Sequence, residues 1–498
     1  MKRRFPAALT TPLLPMSRRL FLQRGVLSLG AAGLCRPVGL DAEVHLSVID
    51  KLSAYMSSAA KRALPEEVIE QGKLHILDTL AAMISGSELI PGRAAIRFAG
   101  VYGGEKICTI VASEFLCGPI EAALVNGLLA HSDETDDVHS PSRSHPGSAA
   151  IPAALAVGEQ FGIDGMHFLR AVVLGYDIGP RVLMAFGAPT LVASHKSPFS
   201  FAGVFSAGAA AGCAASLNQL QTRWLLDYCA QQCSGILAWQ RDTEHIEKGF
   251  VFAGMPARSG VTAALVVKSG WTGVDDIFSG ADNFFLAFAD HAEPARLVDQ
   301  LGERYEVTRT DFKKWSVGMP IQAPLDALEA LLKQHHFEPG QVRDVVVRLG
   351  SGQAAIVDNR DMPDICLQHL VAVMLLDKAL SFRSAHDKQR MQDPTVLNMR
   401  SKVRVIPDDK LEAVLPRRQA TIQVTLADGT SYAQTAEARG TINNPLSRDE
   451  VIEKSRELMS TVLGSAACKR LTGLVLGLEN IKDIRELRPL LTLSGRRG

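Results

Sequence analysis

Apolar and polar positions along the chain change period twice. Through residues 44–84 the apolar residues recur at helical spacing. Leu64-Pro65-Glu66-Glu67 marks a start, because proline suits the first turn and acids suit the positive end of the helix dipole. Val68, Ile69, Leu74, Ile76, Leu77 and Leu80 then supply the inward stripe. The same period predicts helices over 122–129, 152–161, 166–174 and 204–214, and again over 261–268 after a glycine-containing turn at 253–260. Abundant Ala and Gly in these segments predict close helix approaches. An amphipathic helix is expected over 323–334. The period then becomes that of strands, with short β-branched runs at 342–349 and 402–406. Residues 420–426 alternate, Ala427-Asp428-Gly429-Thr430 signals a turn, and 431–435 returns, which reads as a hairpin. A helical block at 365–380 lies between these strands. After Asn444-Pro445-Leu446-Ser447 the helical period resumes, with Ser447 and Glu450 placed as a capping box.

One stretch breaks the pattern. From His131 to Gly147 the chain carries four carboxylates, three imidazoles and one guanidinium in seventeen residues. Apolar, helix-forming segments flank it on both sides. Such a polar knot between buried helices costs free energy unless its groups are paired or used. Pro141, Pro146 and Gly147 make its second half a loop. Loops held by a rigid scaffold are where catalytic groups gather. The bland alternative is that the acids cap helices and the histidines are solvated.

At 498 residues, two domains are the natural expectation. Lys plus Arg and Asp plus Glu are equal at 53 each, so no global field draws the chain to nucleic acid or an anionic membrane. An anionic ligand needs a local basic pocket instead. Eight cysteines are few, and Cys229 and Cys233, the close pair, have no second pair to complete a zinc site, so they read as buried thiols. Arg18-Arg19 before a short Gly/Ala-rich apolar run at 25–34 looks like a twin-arginine export signal, too short to span a bilayer. Periplasmic or exported localisation is therefore expected, with a cytoplasmic protein as the alternative. No stable membrane insertion is expected.

Taken in order, Leu64-Pro-Glu-Glu-Val68, Leu77-Asp-Thr-Leu80, Ala122-Ala-Leu-Val-Asn-Gly127, His131 through Asp137, His145-Pro146, Gly175-Tyr-Asp177 with Arg181, and Asn444-Pro-Leu-Ser447 resemble the MmgE/PrpD family. The resemblance runs from about Val44 to about Leu491. It implies a mainly α fold, with a large all-helical domain formed by both chain ends plus a smaller α+β lid domain. On this chain that divides into a leader at 1–43, a helical part at 44–305, the lid at 306–440 and a helical return at 441–498. It also implies a homodimer that works without metal or organic cofactor, eliminating or decarboxylating small di- or tricarboxylates; an epimerase is also known in the family.

The family's polar motif has histidine, three acids and a following His-Pro. Here His131, Asp136, Asp137 and His145-Pro146 match, while the first acid is Glu134 and the intervening aromatic is Thr135. A second family histidine corresponds to His195, displaced by about two residues, and a conserved-type lysine before a glycine-bearing helix start corresponds to Lys248. In the lid, the family's cysteine and histidine are absent from the run that begins at Lys313 and ends at Gln322.

Taking a proton from carbon beside a carboxylate needs a base and something to hold the developing charge. His145, Asp137, Asp136 and His195 are the catalytic candidates. Lys248, Glu134, Lys196, Lys314, Gln322 and Arg360 are the substrate-binding candidates, with Arg143 a further cation. Lys248 is expected at a glycine-rich turn into a helix, where anions bind. His369, inside an apolar helix, reads as a packed core histidine. Two other classes stay open: a metal hydrolase, which lacks a compact ligand motif here, and an exported carboxylate-binding protein without turnover.

Overall fold

The structure, a computed structural model, describes residues 46–493. The twin-arginine reading on Arg18 and Arg19 therefore lies outside the described residues. The fold is mainly helical, with a smaller α+β part, as the change of period predicts.

The helical part is organised around two long helices and the small-residue helix between them. Glu66–Gly86 begins behind Pro65, with Glu66 and Glu67 in its first turn, as read from the sequence. Gly165–Phe186 is capped by Asp164, whose carboxylate accepts from the His167 amide at 2.8 Å. Pro198–Ala214 buries Phe201, Val204 and Phe205 together with a run of alanine and glycine, and packs against Gly165–Phe186, Gly147–Phe161 and Met255–Lys268. Small residues are required there. A Cβ on Gly260 would sit 2.6 Å from the Ala207 carbonyl carbon and closer still to the Gly208 nitrogen. Backbone meets backbone at that crossing, and glycine is the residue that allows it.

The C-terminal return, Arg448–Ser460, opens on the expected capping box: the Glu450 amide donates to Ser447 Oγ at 3.3 Å, and the Ser447 amide donates back to Glu450 at 2.8 Å. It packs on Glu66–Gly86, so both ends of the described chain share one apolar cluster, drawn from residues between Ile49 and Phe312 and between Val451 and Leu491, with Phe382 added.

A second apolar cluster draws on residues between Val317 and Ala438. Its sheet has the strand order Val403–Asp408, Val342–Gly350, Gln419–Leu426, Ser431–Glu437. The first pair is parallel and the other two are antiparallel. The predicted hairpin is present, turning at Gly429 with φ 91°. Helices Gln322–Gln334 and Leu367–Asp377 lie in the same cluster. His369 is buried there, and burial pulls its imidazole down to about 4, as befits a packed core histidine.

One local expectation is corrected. Lys248 does not precede a glycine turn. A continuous helical stretch runs from Ile246 to Lys268, with a wider, π-type turn at Phe250–Gly254. Its glycines serve packing: a Cβ on Gly249 would lie 2.7 Å from the His131 carbonyl, and one on Gly254 would lie 2.9 Å from that of Leu124. By length and composition this stretch could cross a membrane, but 72% of its most apolar window is buried inside the fold. The described cysteines are all buried, and Cys229 and Cys233 are free thiols.

Candidate active site

The polar loop is built into the molecule rather than solvated. It leaves helix Pro119–Ala130, whose C-cap is His131, and enters helix Gly147–Phe161. His131, Asp133, Glu134, Asp136 and Asp137 are all buried. Several contacts fix its course. Val138 and Asp311 exchange backbone hydrogen bonds at 3.0 and 2.8 Å. Asp133 accepts from the Thr135 amide at 3.0 Å and from its hydroxyl at 2.6 Å. Lys454, from the C-terminal return, donates to the Thr135 carbonyl at 3.3 Å and pairs with Asp78 at 2.7 Å.

Asp136 is the hub. Its Oδ2 lies 2.9 Å from His131 Nδ1 and 3.2 Å from His145 Nδ1, and its Oδ1 lies 3.5 Å from Lys313 Nζ. Burial alone would raise this carboxyl, but His131, His145 and Lys313 hold it well below the usual carboxylate range. It is thus an anion that is hydrogen-bonded to His131 Nδ1 and stands at ion-pair distance from His145 Nδ1. Burial pulls His131 down to about 3, so its ring is neutral, and its Nε2 is buried without a hydrogen-bond partner. Phe252 stacks on His131 with ring centroids 4.6 Å apart, and Phe199 stacks on Phe252 at 3.9 Å. This apolar wall lowers the local dielectric and strengthens every charge contact beside it. His145 keeps the more open position of the two, its side chain 8% exposed.

Cations converge on Glu134. Lys248 Nζ contacts Glu134 Oε1, while Lys313 donates to the Glu134 carbonyl at 2.8 Å and lies 3.4 Å from Oε2. Burial pulls the Lys248 ammonium down to about 7; Lys313 and Arg360 push the same way, and Asp364 and Asp133 resist. Lys248 also lies 5.2 Å from the Phe252 ring centroid and 5.7 Å from that of Trp239. Burial likewise lowers Lys313, against Asp136 and Asp133. Two buried ammonium groups whose only anionic partners are side chains can exchange those partners for a ligand carboxylate.

A cleft lined by Ser132, His245, Asp364 and His386 encloses about 410 Å³ including its mouth, and the His245 ring links it to the cluster, 5.3 Å from that of His131. His386 pairs with Asp133 at 2.9 Å; burial would lower its imidazole, but Asp133 raises it to about 9.

Of the sequence-predicted residues, the fold brings together His145, Asp136, Glu134 and Lys248. Asp137 faces the other way. It accepts from Tyr176 at 2.5 Å and from the Gly147 amide at 3.2 Å, with His75 Nδ1 at 2.9 Å, so its contacts are with the scaffold behind the loop. His195 is exposed at φ 59°, and no hydrogen bond or ion pair joins its ring to the cluster. Lys196 bonds locally to Ser194 at 3.0 Å. Lys314 is turned away, onto Asp326 at 3.0 Å and Glu329 at 2.8 Å, while its neighbour Lys313 points in. The chain bends at Lys314, and the two adjacent lysines point to different neighbours. Gln322 is buried but fully used, bonding the Trp315 amide and carbonyl and the Val317 carbonyl. Arg360 donates to the Gln240 carbonyl at 2.8 Å and lies near enough to depress Lys248. Arg143 is exposed. Sequence reasoning missed His245, Asp364, His386 and Lys313; isolated residues in unremarkable segments gave no signal, except that Lys313 opened the lid run already singled out.

Two groups, His131 with Glu134 and His245, and His131 with Asp136 and His145, bring possible metal-ligand atoms within 4.8 Å of one another. In both, a lysine ammonium already stands at the carboxylate a metal would need.

Sequence comparison adds a finding independent of this geometry. The MmgE/PrpD N-terminal domain matches residues 50–297, and the MmgE/PrpD C-terminal domain matches residues 315–480. A cis-aconitate decarboxylase-like protein of Aspergillus oryzae is 24% identical, over 90% of this chain and 97% of its own length. A cis-aconitate decarboxylase of Aspergillus terreus is 22% identical over 91% of this chain and 97% of its own, and the human cis-aconitate decarboxylase is 25% identical over 86% and 91%.

Proposed function

Because the chain belongs to the MmgE/PrpD family, we propose that it is a lyase that moves a proton at carbon beside a carboxylate of a small di- or tricarboxylate, without metal or organic cofactor. The observation that carries this reading is Asp136, a buried carboxylate shared by His131 and His145, with Lys313 beside it and Lys248 meeting Lys313 on Glu134. A substrate carboxylate takes up the ammonium groups now held by Glu134. His145, whose Nδ1 lies 3.2 Å from Asp136 Oδ2, presents Nε2 for proton transfer. In a decarboxylation the carbon–carboxyl bond breaks, carbon dioxide leaves, and the electron pair stays on carbon until a proton fills it. In a dehydration the carbon–hydrogen pair forms the double bond as hydroxide departs and is protonated to water. Both begin with charge held beside the same lysines. The relatives named above favour decarboxylation.

The test is a panel of small di- and tricarboxylates, followed by proton NMR in deuterated water, which registers exchange at carbon even without net turnover. A folded protein that neither consumes nor exchanges any of them refutes the lyase reading and leaves a carboxylate-binding protein, scored by calorimetry on the same panel. We also propose export through Arg18 and Arg19; a doubly lysine-substituted chain still found beyond the inner membrane contradicts it. The homodimer is likewise a proposal, tested by sedimentation.

A further inference from the structure

His245 has no role in the scheme above, yet its placement is costly. It is 4% exposed and adopts φ 62°, ψ 9°, the left-handed region, at the entry to the helical stretch that carries Lys248. A non-glycine residue there costs on the order of 1 kcal/mol, and such outliers gather where function over-determines the backbone. The conformation turns the ring inward. Its centroid lies 5.3 Å from that of His131, on whose ring His145 also abuts at 5.1 Å. Neither ring nitrogen of His245 has a hydrogen-bond partner, although both are buried. Nδ1 lies 3.5 Å from Asp364 Oδ2, itself without a partner, across the cleft that both residues line. Meanwhile His195 is on the surface and Gln322 is consumed inside its own segment.

We propose that His245, oriented by Asp364, is a second proton-transfer residue of this chain, acting from the cleft side while His145 acts from the Asp136 side. The inference rests on the lyase reading. His245 is assigned as the donor because it lines the cleft and can be recharged from solvent, whereas His131 is sealed. In a decarboxylation its imidazolium supplies the proton that fills the electron pair left by carbon dioxide. In a dehydration it protonates the departing hydroxide, while His145 takes the proton from carbon. In each case the ring ends neutral and regains its proton from water.

The experiment compares His245→Asn, His245→Gly and Asp364→Asn with the parent on the substrate identified above. Asparagine and glycine both tolerate the left-handed backbone, so the helix entry is kept. Turnover of His245→Asn should fall by roughly two to four orders of magnitude with KM little changed. Added imidazole should restore turnover to His245→Gly, which a merely structural role does not predict. Asp364→Asn, which leaves the histidine in place, should lose about tenfold or more. If the histidine variants do not fold, Asp364→Asn decides alone, and parental turnover there overturns the proposal. Near-parental turnover of His245→Asn, a loss confined to KM, or a loss that imidazole does not relieve also overturns it while leaving the lyase reading intact. So does parental activity lost to a chelator and restored by one divalent ion, which makes His245 a metal ligand. A parent inactive across the whole panel removes both readings together.

Discussion

The ion pair between His386 and Asp133 makes a quantitative prediction. His386 sits on helix Phe382–His386 with its side chain 7% exposed, and Asp133 belongs to the polar loop. An unfolded imidazole titrates near 6.5, and this one is raised to about 9. Between those values the native state holds a proton that the unfolded state has lost, so stability falls as pH rises, by about 1.4 kcal/mol per unit. The contribution is complete below pH 6.5 and gone above about 9, and amounts to about 3 kcal/mol. Lys248 titrates in the opposite sense. Its folded value near 7 lies below the usual 10.5, so it favours the native state increasingly as pH rises through that interval, and it masks His386 in a single melting curve.

The difference between the parent and Asp133→Asn removes most of the masking term, because Asp364 acts on Lys248 more strongly than Asp133 does. Asparagine keeps an oxygen for Thr135 but no charge for His386. At about 2.1 cal/mol/K per residue, roughly 450 ordered residues unfold with an entropy near 1 kcal/mol/K, so the interaction corresponds to about 3 °C. Thermal melts of both proteins at pH 6.5, 7.5, 8.5 and 9.5 should therefore converge by about that amount as pH rises. Curves that stay parallel across the whole range refute the charged pair.

Three further outcomes are expected. His145→Ala should chiefly lower turnover, by roughly two to four orders of magnitude, while Lys248→Ala should chiefly raise KM; a folded His145→Ala enzyme with near-normal turnover removes His145 from the mechanism. Gly260→Ala should lower Tm, because its Cβ meets the backbone of Ala207 and Gly208, at a cost of about 1–3 kcal/mol that exceeds the helix preference of alanine; an equal or higher Tm contradicts the packing argument. Dialysis against a chelator should leave turnover unchanged, since lysines stand where a metal would bind, and a loss reversed by one divalent ion contradicts this.

The sequence by itself determined what depends on local chemistry and period. Pro65 before Glu66, the Ser447–Glu450 box and the Asp428-Gly429 turn each act through neighbours a few residues away, and each stands where it was read. The polar loop was legible for the same reason: Glu134, Asp136 and His145 are close in the chain and stay close in space. Tertiary structure alone decided the rest. Lys313 and Lys314 are adjacent and chemically identical, and only the bend of the chain there sends one to Asp136 and the other to Asp326. Asp136 and Asp137 are equally adjacent, yet one faces two imidazoles and the other Tyr176. His245 comes from a segment far along the chain from the loop and carries no local signature; a packed helix and a left-handed backbone deliver it. Periodicity reports how much of a segment is buried. Which charged atom faces which is a property of contacts between segments, and the chain acquires those only when its helices close on one another.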